Sequence, residues 1–157
     1  MKSTQADIEA RERMAPGRIT AGGFLGNDQR ALGDIVEADL EELGRLGVDP
    51  DAAADALERL RDAAQTGLGE PVTVGGRWLV SSGDARGMLA CPWHDGLFHK
   101  NSIMVRGMDG SQLAVYSDLS IHLLRVHRFL QGRGSPFRLE PRILAELAAQ
   151  DTQADGR

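Results

Sequence analysis

Leu32, Ile35, Val36, Leu40, Leu43 and Leu46 recur at intervals of three and four residues, the spacing that lines one face of a helix. Glu37, Asp39, Glu41 and Glu42 fall largely on the opposite, wet side. Asn27 or Asp28 offers a short side-chain oxygen to cap the first turn, and Gly47 ends the helix. Asp49-Pro50 opens a second one, with aspartate at the cap and proline in the first turn, where no amide is needed. Its stripe of Ala53, Leu57, Leu60 and Ala64 runs to Gly67 or Gly69. These two elements predict an antiparallel helical hairpin, a scaffold with nothing catalytic in it. Upstream, residues 1–14 read as a frayed helix or a disordered lead. PGRITAGGFLGNDQR (16–30) reads as a loop that Ile19, Phe24 and Leu25 tack onto a core.

At Pro71 the period changes. VTV-GG-RWLV (72–80) reads as two short strands joined by a glycine pair, which supplies the positive φ angles of a tight turn. RGMLAC (86–91) reads as a third strand, and SIMVRG (102–107) with QLAVYS (112–117) as another hairpin about Asp109-Gly110. Ser117 or Asp118 then caps a helix whose Leu119, Leu123, Val126, Phe129 and Leu130 can face a core, with Gly132 as its stop. A last short helix starts near Pro141 and carries Ile143, Leu144 and Leu147. The expected fold is α+β: an N-terminal helical hairpin packed with a small antiparallel sheet and a C-terminal helix. Its expected segments are a flexible lead (1–15), the helical hairpin (16–70), the β-hairpins plus helix (71–150) and a disordered tail (151–157).

Composition narrows the function classes. No run of eighteen apolar residues exists in the 157, so no transmembrane helix is expected, and the polar start lacks a signal peptide's apolar region. A single cysteine excludes an internal disulfide framework, and a cytoplasmic protein is the simplest expectation. Aromatic residues make up only 4% of the chain, so Ala, Leu and Val must fill most of the core. Charge is divided unevenly: residues 1–70 carry 8 Lys and Arg against 15 Asp and Glu, whereas 71–157 carry 10 against 8. The acidic hairpin is a surface for a protein partner. The arginines of 125–142 (Arg125, Arg128, Arg133, Arg138, Arg142) could seat an acidic ligand or a phosphate backbone, or merely solvate a helix and its following loop. Within QGRGSPFRLEP (131–141), Arg133, Ser135 and Arg138 form a secondary candidate for anion binding, although the segment is not a G-x-G-x-x-G fingerprint.

The only cysteine and all four histidines lie between residues 91 and 127. Cys91 and His94 are spaced C-x2-H at the end of a predicted strand, and His122 and His127 are spaced H-x4-H on a predicted helix. Structural zinc sites commonly join such a turn-borne pair to a helical pair. Cys91, His94, His122 and His127 are therefore the candidate ligands of a structural zinc that links the helix to the sheet. Residues five apart lie about 140° apart around an ideal helix, so the helix must tighten or end near His127. His99, followed by the polar Lys100 and Asn101, is the expected outsider, with His94's place as its alternative position.

The ligand pattern resembles a two-Cys-two-His zinc finger with one cysteine replaced, but a whole hairpin (101–116) separates the pairs, so DNA reading is not implied. CPWH is similar to the CPWC of thioredoxins, where the motif opens a helix and lowers a thiol pKa; here the second cysteine is absent and Gly96 follows. HDGLFHKN, a hairpin and a histidine-bearing helix also resemble the order of ββα-metal nucleases. That likeness implies the alternative function, a metal-dependent phosphodiesterase with one histidine as base. At C-P-W-H-x-G-L-F, S-D-L-S-I-H-L-L-x-x-H and G-x-G-S-P-F-R-L the chain resembles a group of small uncharacterised bacterial cytosolic proteins. GFLG-N-D and GLGEPVTV extend that resemblance over residues 15–145. It implies that the two halves form one unit and transfers no functional residue. The function expected from all this is a small zinc-binding, non-catalytic interaction or regulatory module.

Overall fold

The computed structural model describes residues 4–155, with side chains to residue 149. Its elements run α1 (Gln5–Arg13), α2 (Leu32–Arg45), α3 (Pro50–Gln65), β1 (Val72–Val74), β2 (Trp78–Ala90), β3 (Leu97–Gly107), β4 (Gln112–Tyr116), α4 (Asp118–His127) and α5 (Pro141–Asp155). The four strands form one antiparallel meander in the order β1-β2-β3-β4. The fold is α+β, as the two periodicities predict.

The helical hairpin and the sheet share a core. Leu43 of α2 and Leu57, Leu60 and Ala64 of α3 pack in one cluster with Val80, Ile103, Val105 and Tyr116 of the sheet. Ile121, Leu124, Ile143 and Leu144 of α4 and α5 close it. Tyr116, fully buried, donates its hydroxyl to the Leu57 carbonyl at 2.8 Å, satisfying a phenol that the core would otherwise strand. Asp49 caps α3 through the Ala52 amide, and Ser117 caps α4 in a box with Ser120.

Four expectations are corrected. The lead is not a loose end: α1 buries Ala10 and Met14 completely in a second core cluster with Phe24, Ile35, Leu119 and Leu123. Residues 1–3 of that lead lie outside the described residues. Second, the strands expected separately at RWLV and RGMLAC are one, β2, and the strand expected from Ser102 begins at Leu97. β2 and β3 form one long hairpin, paired from Trp78↔Gly107 to Ala90↔Leu97 with a register shift between Asp84 and Met88. Its outer arm, Gly83 to Met88, is exposed on both faces, so the segment that joins the two predicted strands carries no apolar alternation. Third, neither Asn27 nor Asp28 caps α2, whose N-cap Ala31 has no side-chain bond. Fourth, the tail continues α5 as far as Asp155, and residues 156 and 157 lie outside the described residues.

The two glycine-rich passages pack on one another. Asn27 N–H donates to the Arg133 carbonyl at 3.0 Å and Gly132 N–H to the Phe24 carbonyl at 2.9 Å. A Cβ on Gly132 would lie 2.4 Å from the Leu25 carbonyl oxygen, so only glycine admits this backbone approach. Asp39, expected on the wet side of α2, is 5% exposed and binds Arg138 through two hydrogen bonds of 3.0 and 2.8 Å. That pair fastens the 131–141 loop to α2. Replacing Asp39 with alanine leaves the Arg138 guanidinium buried with only Glu140 and the Gln131 carbonyl. We expect a loss of about 3 kcal/mol in urea unfolding, the low end for breaking a buried pair. Glu140→Ala, at the exposed end, should change stability little; equal losses in the two variants would contradict the role of Asp39.

Candidate metal centre

The β2–β3 hairpin turns through CPWHDG, and the last residue of α4 comes to meet it. Cys91 N–H donates to the Gly96 carbonyl at 2.9 Å and His94 N–H to the Cys91 carbonyl at 2.8 Å, closing the turn. His94 adopts φ +60, a left-handed corner uncommon for a side-chain-bearing residue. The chain reverses there, so the carboxylate that follows, Asp95, reaches the α4 histidines while His94 itself is exposed to solvent.

Four side chains converge. One ligand atom from each of Cys91, Asp95, His122 and His127 lies within 4.8 Å of every other. His122 Nε2 is 2.9 Å from Asp95 Oδ1, His127 Nε2 is 2.7 Å from Asp95 Oδ2, and Cys91 Sγ is 3.6 Å from His127 Nε2. The five-residue gap between the histidines is accommodated because α4 stops at His127. Arg128 turns left-handed at φ +56, and the Phe129 N–H returns to the Leu123 carbonyl, a glycine-type helix ending made by an arginine.

Three of the four expected ligands, Cys91, His122 and His127, are thus brought together, and His94 is not. Asp95 takes the fourth place. Aspartate is an ordinary zinc ligand, but nothing in the C-x2-H spacing distinguishes Asp95 from a solvated turn residue. His99 lies elsewhere, 3.6 Å from Asp84 across the hairpin arm. The anion-binding candidates do not form a site for an outside anion. Arg138 is bound to Asp39 and Glu140, Ser135 donates to Gln131, and the Arg133 amide donates to buried Asp28 at 3.2 Å. The anion held by this loop is the protein's own Asp28. Its hydrogen bonds from Arg30, and then from the Arg133 amide, outweigh burial and keep its carboxyl far below the usual carboxylate range.

Aromatic rings fix the imidazoles. Trp93 stacks on His127 with centroids 4.1 Å apart and planes 10° apart, and Phe98 lies 4.6 Å from His122. Trp93 is itself held by an indole N–H bond to Asp7 of α1 at 3.1 Å, and Arg13 donates to the Pro92 carbonyl. The first helix therefore clamps the turn. Such outer contacts orient ligands before any ion arrives.

No protein-family profile, characterised sequence or solved structure matches this chain. The centre is read from its own geometry. The described residues contain no helix long and apolar enough to cross a membrane.

The electrostatics suit a cation. Burial, and then the neighbouring Asp95 carboxylate, push the Cys91 thiol up to about 12. Burial also opposes ionisation of Asp95, but hydrogen bonds from Cys91 and His122 and the nearby imidazoles overcome it and hold the carboxyl well below its ordinary range. Burial lowers the His127 pKa against the pull of Asp95, leaving a neutral ring with a lone pair at neutral pH. The Cys91–Asp95–His122–His127 group can hold a metal ion. A divalent ion bound through the Cys91 sulfur would displace the thiol proton. Affinity must therefore rise with pH, roughly tenfold per unit between about pH 7 and pH 9 for a single displaced proton. Competition with a chelator of known affinity measures this; a pH-independent affinity would mean that the thiol is not a ligand.

Proposed function

We propose that Cys91, Asp95, His122 and His127 hold one structural zinc ion, and that the protein is a small, non-catalytic, cytoplasmic binding module whose C-terminal half this ion fastens together. The convergence of four donors from the β2–β3 turn and the end of α4 carries the reading. Tetrahedral zinc with bonds of about 2.0–2.3 Å sets neighbouring ligand atoms roughly 3.3–3.6 Å apart. The Cys91–His127 separation of 3.6 Å already meets that. The two histidine–Asp95 separations, 2.9 and 2.7 Å, are hydrogen-bond lengths and would have to open by about half an ångström.

Chemistry favours zinc. A thiolate and two imidazoles suit it better than magnesium or calcium, which prefer oxygen ligands throughout. One thiolate and one carboxylate would balance the 2+ charge, with both imidazoles neutral. That balance is better than one thiolate with three histidines would give, and it keeps a net charge out of a partly buried site. A filled set of four donors leaves no position for a reacting water, which supports a structural role over phosphodiester hydrolysis.

The paired arginines point the same way. Arg125 binds Asp55 and Glu58, Arg128 binds Asp51, and Arg138 binds Asp39. The basic stretch is largely neutralised by the acidic hairpin, which disfavours a phosphate backbone as partner.

Elemental analysis of protein purified without a histidine tag should find one equivalent of zinc. Cys91→Ala should lose it together with a large part of the thermal stability, because structural zinc contributes about 10–16 kcal/mol of apparent binding free energy coupled to folding. Asp95→Asn should weaken zinc binding by roughly tenfold or more, and His94→Ala should leave it unchanged. Metal content unaffected by Cys91→Ala would overturn the assignment. Zinc that is stripped without loss of fold, accompanied by cleavage of a generic phosphodiester, would overturn the structural role.

A further inference from the structure

Between the 19–24 loop, the end of β2, the start of α4 and the 131–137 loop lies a cleft of about 350 Å³, within the range of small-molecule sites. Phe24, Leu89, Leu119 and Phe137 supply much of its apolar wall. Two carboxamides line it as well. Asn101 is 6% exposed, and its Oδ1 accepts the Asp118 backbone N–H at 2.9 Å. A backbone amide can only donate, so this bond fixes which end of the side chain is oxygen. Nδ2 is then left with two hydrogens and no partner among the described residues.

Gln131 repeats the arrangement. It is 4% exposed, its Oε1 accepts the Ser135 hydroxyl at 2.7 Å, and its Nε2 has no partner among the described residues. No fully enclosed side-chain nitrogen or oxygen among the described residues lacks a partner. Both NH2 groups must therefore touch open space, and the open space that both residues line is this cleft. Gln131 also holds φ +72, a strained conformation for a residue with a side chain. Lys100, exposed and without an ion pair among the described residues, is the one charged residue that lines the cleft.

We propose that this cleft binds a small monocarboxylate with an apolar body. The two carboxylate oxygens accept from Asn101 Nδ2 and Gln131 Nε2, Lys100 supplies the charge, and the apolar wall takes the rest of the molecule. A buried carboxylate is tolerated only where donors replace its water, and this cleft presents donors in excess and no competing acid. A single cation suits one negative charge better than a phosphate's two. Leu89 and Leu119 share the second core cluster with Cys91, but none of the four metal donors lines the cleft, so the two sites stand independently.

The test is a titration of the full-length protein with octanoate, with octan-1-ol and inorganic phosphate as controls, followed by calorimetry and by the side-chain amide NMR signals. Octanoate should shift the Asn101 and Gln131 NH2 signals saturably and bind roughly tenfold or more tighter than octanol, from charge-assisted hydrogen bonds. Asn101→Asp keeps the acceptor for the Asp118 amide, and Gln131→Glu keeps the one for Ser135, while each replaces the donor by an anion. Each should weaken octanoate by roughly tenfold or more and leave octanol nearly unchanged. If Asn101→Asp fails to fold in a melting control, Gln131→Glu and Lys100→Gln decide. Octanoate binding no better than octanol, shifts confined to other residues, or preference for phosphate would each overturn the proposal. Zinc content measured on the same samples separates this outcome from that of the metal site.

Discussion

Asp95 stands between the two imidazoles of α4 and beside a fully buried thiol, and that meeting point ties the β2–β3 turn to the end of α4. The β2–β3 turn and the last turn of α4 are 36 residues apart at Cys91 and His127, yet their donors lie within contact distance. A partly exposed carboxylate facing a thiol and two imidazoles is stable as a hydrogen-bonded cluster and better suited still to a cation, since all four groups converge on the same place. Trp93, Phe98 and, through Asp7, the first helix set the rings before the ion enters. The centre thus joins α1, the hairpin tip and α4.

A second constraint is the mutual neutralisation of the two halves. The acidic helical hairpin and the arginine-rich segment look on paper like two separate partner surfaces. In the fold they are largely each other's partners: Asp51, Asp55 and Glu58 of α3 meet Arg125 and Arg128 of α4, Arg61 meets Asp118, and Asp39 meets Arg138. Most of these pairs are partly exposed and contribute little singly. Together they tie the hairpin to α4, to Arg128 just after it and to the 131–141 loop. Asp39–Arg138, with both side chains 8% exposed, is the member whose disruption would leave a buried charge.

Much of this was legible in the residues. Three- and four-residue spacing placed α2 and α3, Asp49-Pro50 marked the start of α3, and Ser117 marked α4. What the pattern hid follows from physics that leaves no periodic trace. The middle of β2 is exposed on both faces, so residues 81–85 show no alternation, and the strands read at 78–80 and 86–91 did not announce themselves as one. α1 has weak amphipathicity and is fixed by two buried residues and a few polar bonds, which spacing cannot reveal. At the centre, Cys91, His122 and His127 were identifiable by residue type. His94 and Asp95 were exchanged because a left-handed turn at His94 is a backbone decision that C-x2-H spacing does not encode. Arg138 and Asp39 are 99 residues apart, and no local rule pairs them.

X-ray absorption at the zinc edge, on protein purified without a tag, addresses the central claim most directly. We expect a four-coordinate shell with one sulfur at about 2.3 Å and three nitrogen or oxygen neighbours at about 2.0–2.2 Å, the sulfur vanishing in Cys91→Ala. A shell of nitrogen and oxygen alone, or a metal whose surroundings are the same with and without the thiol, would contradict it.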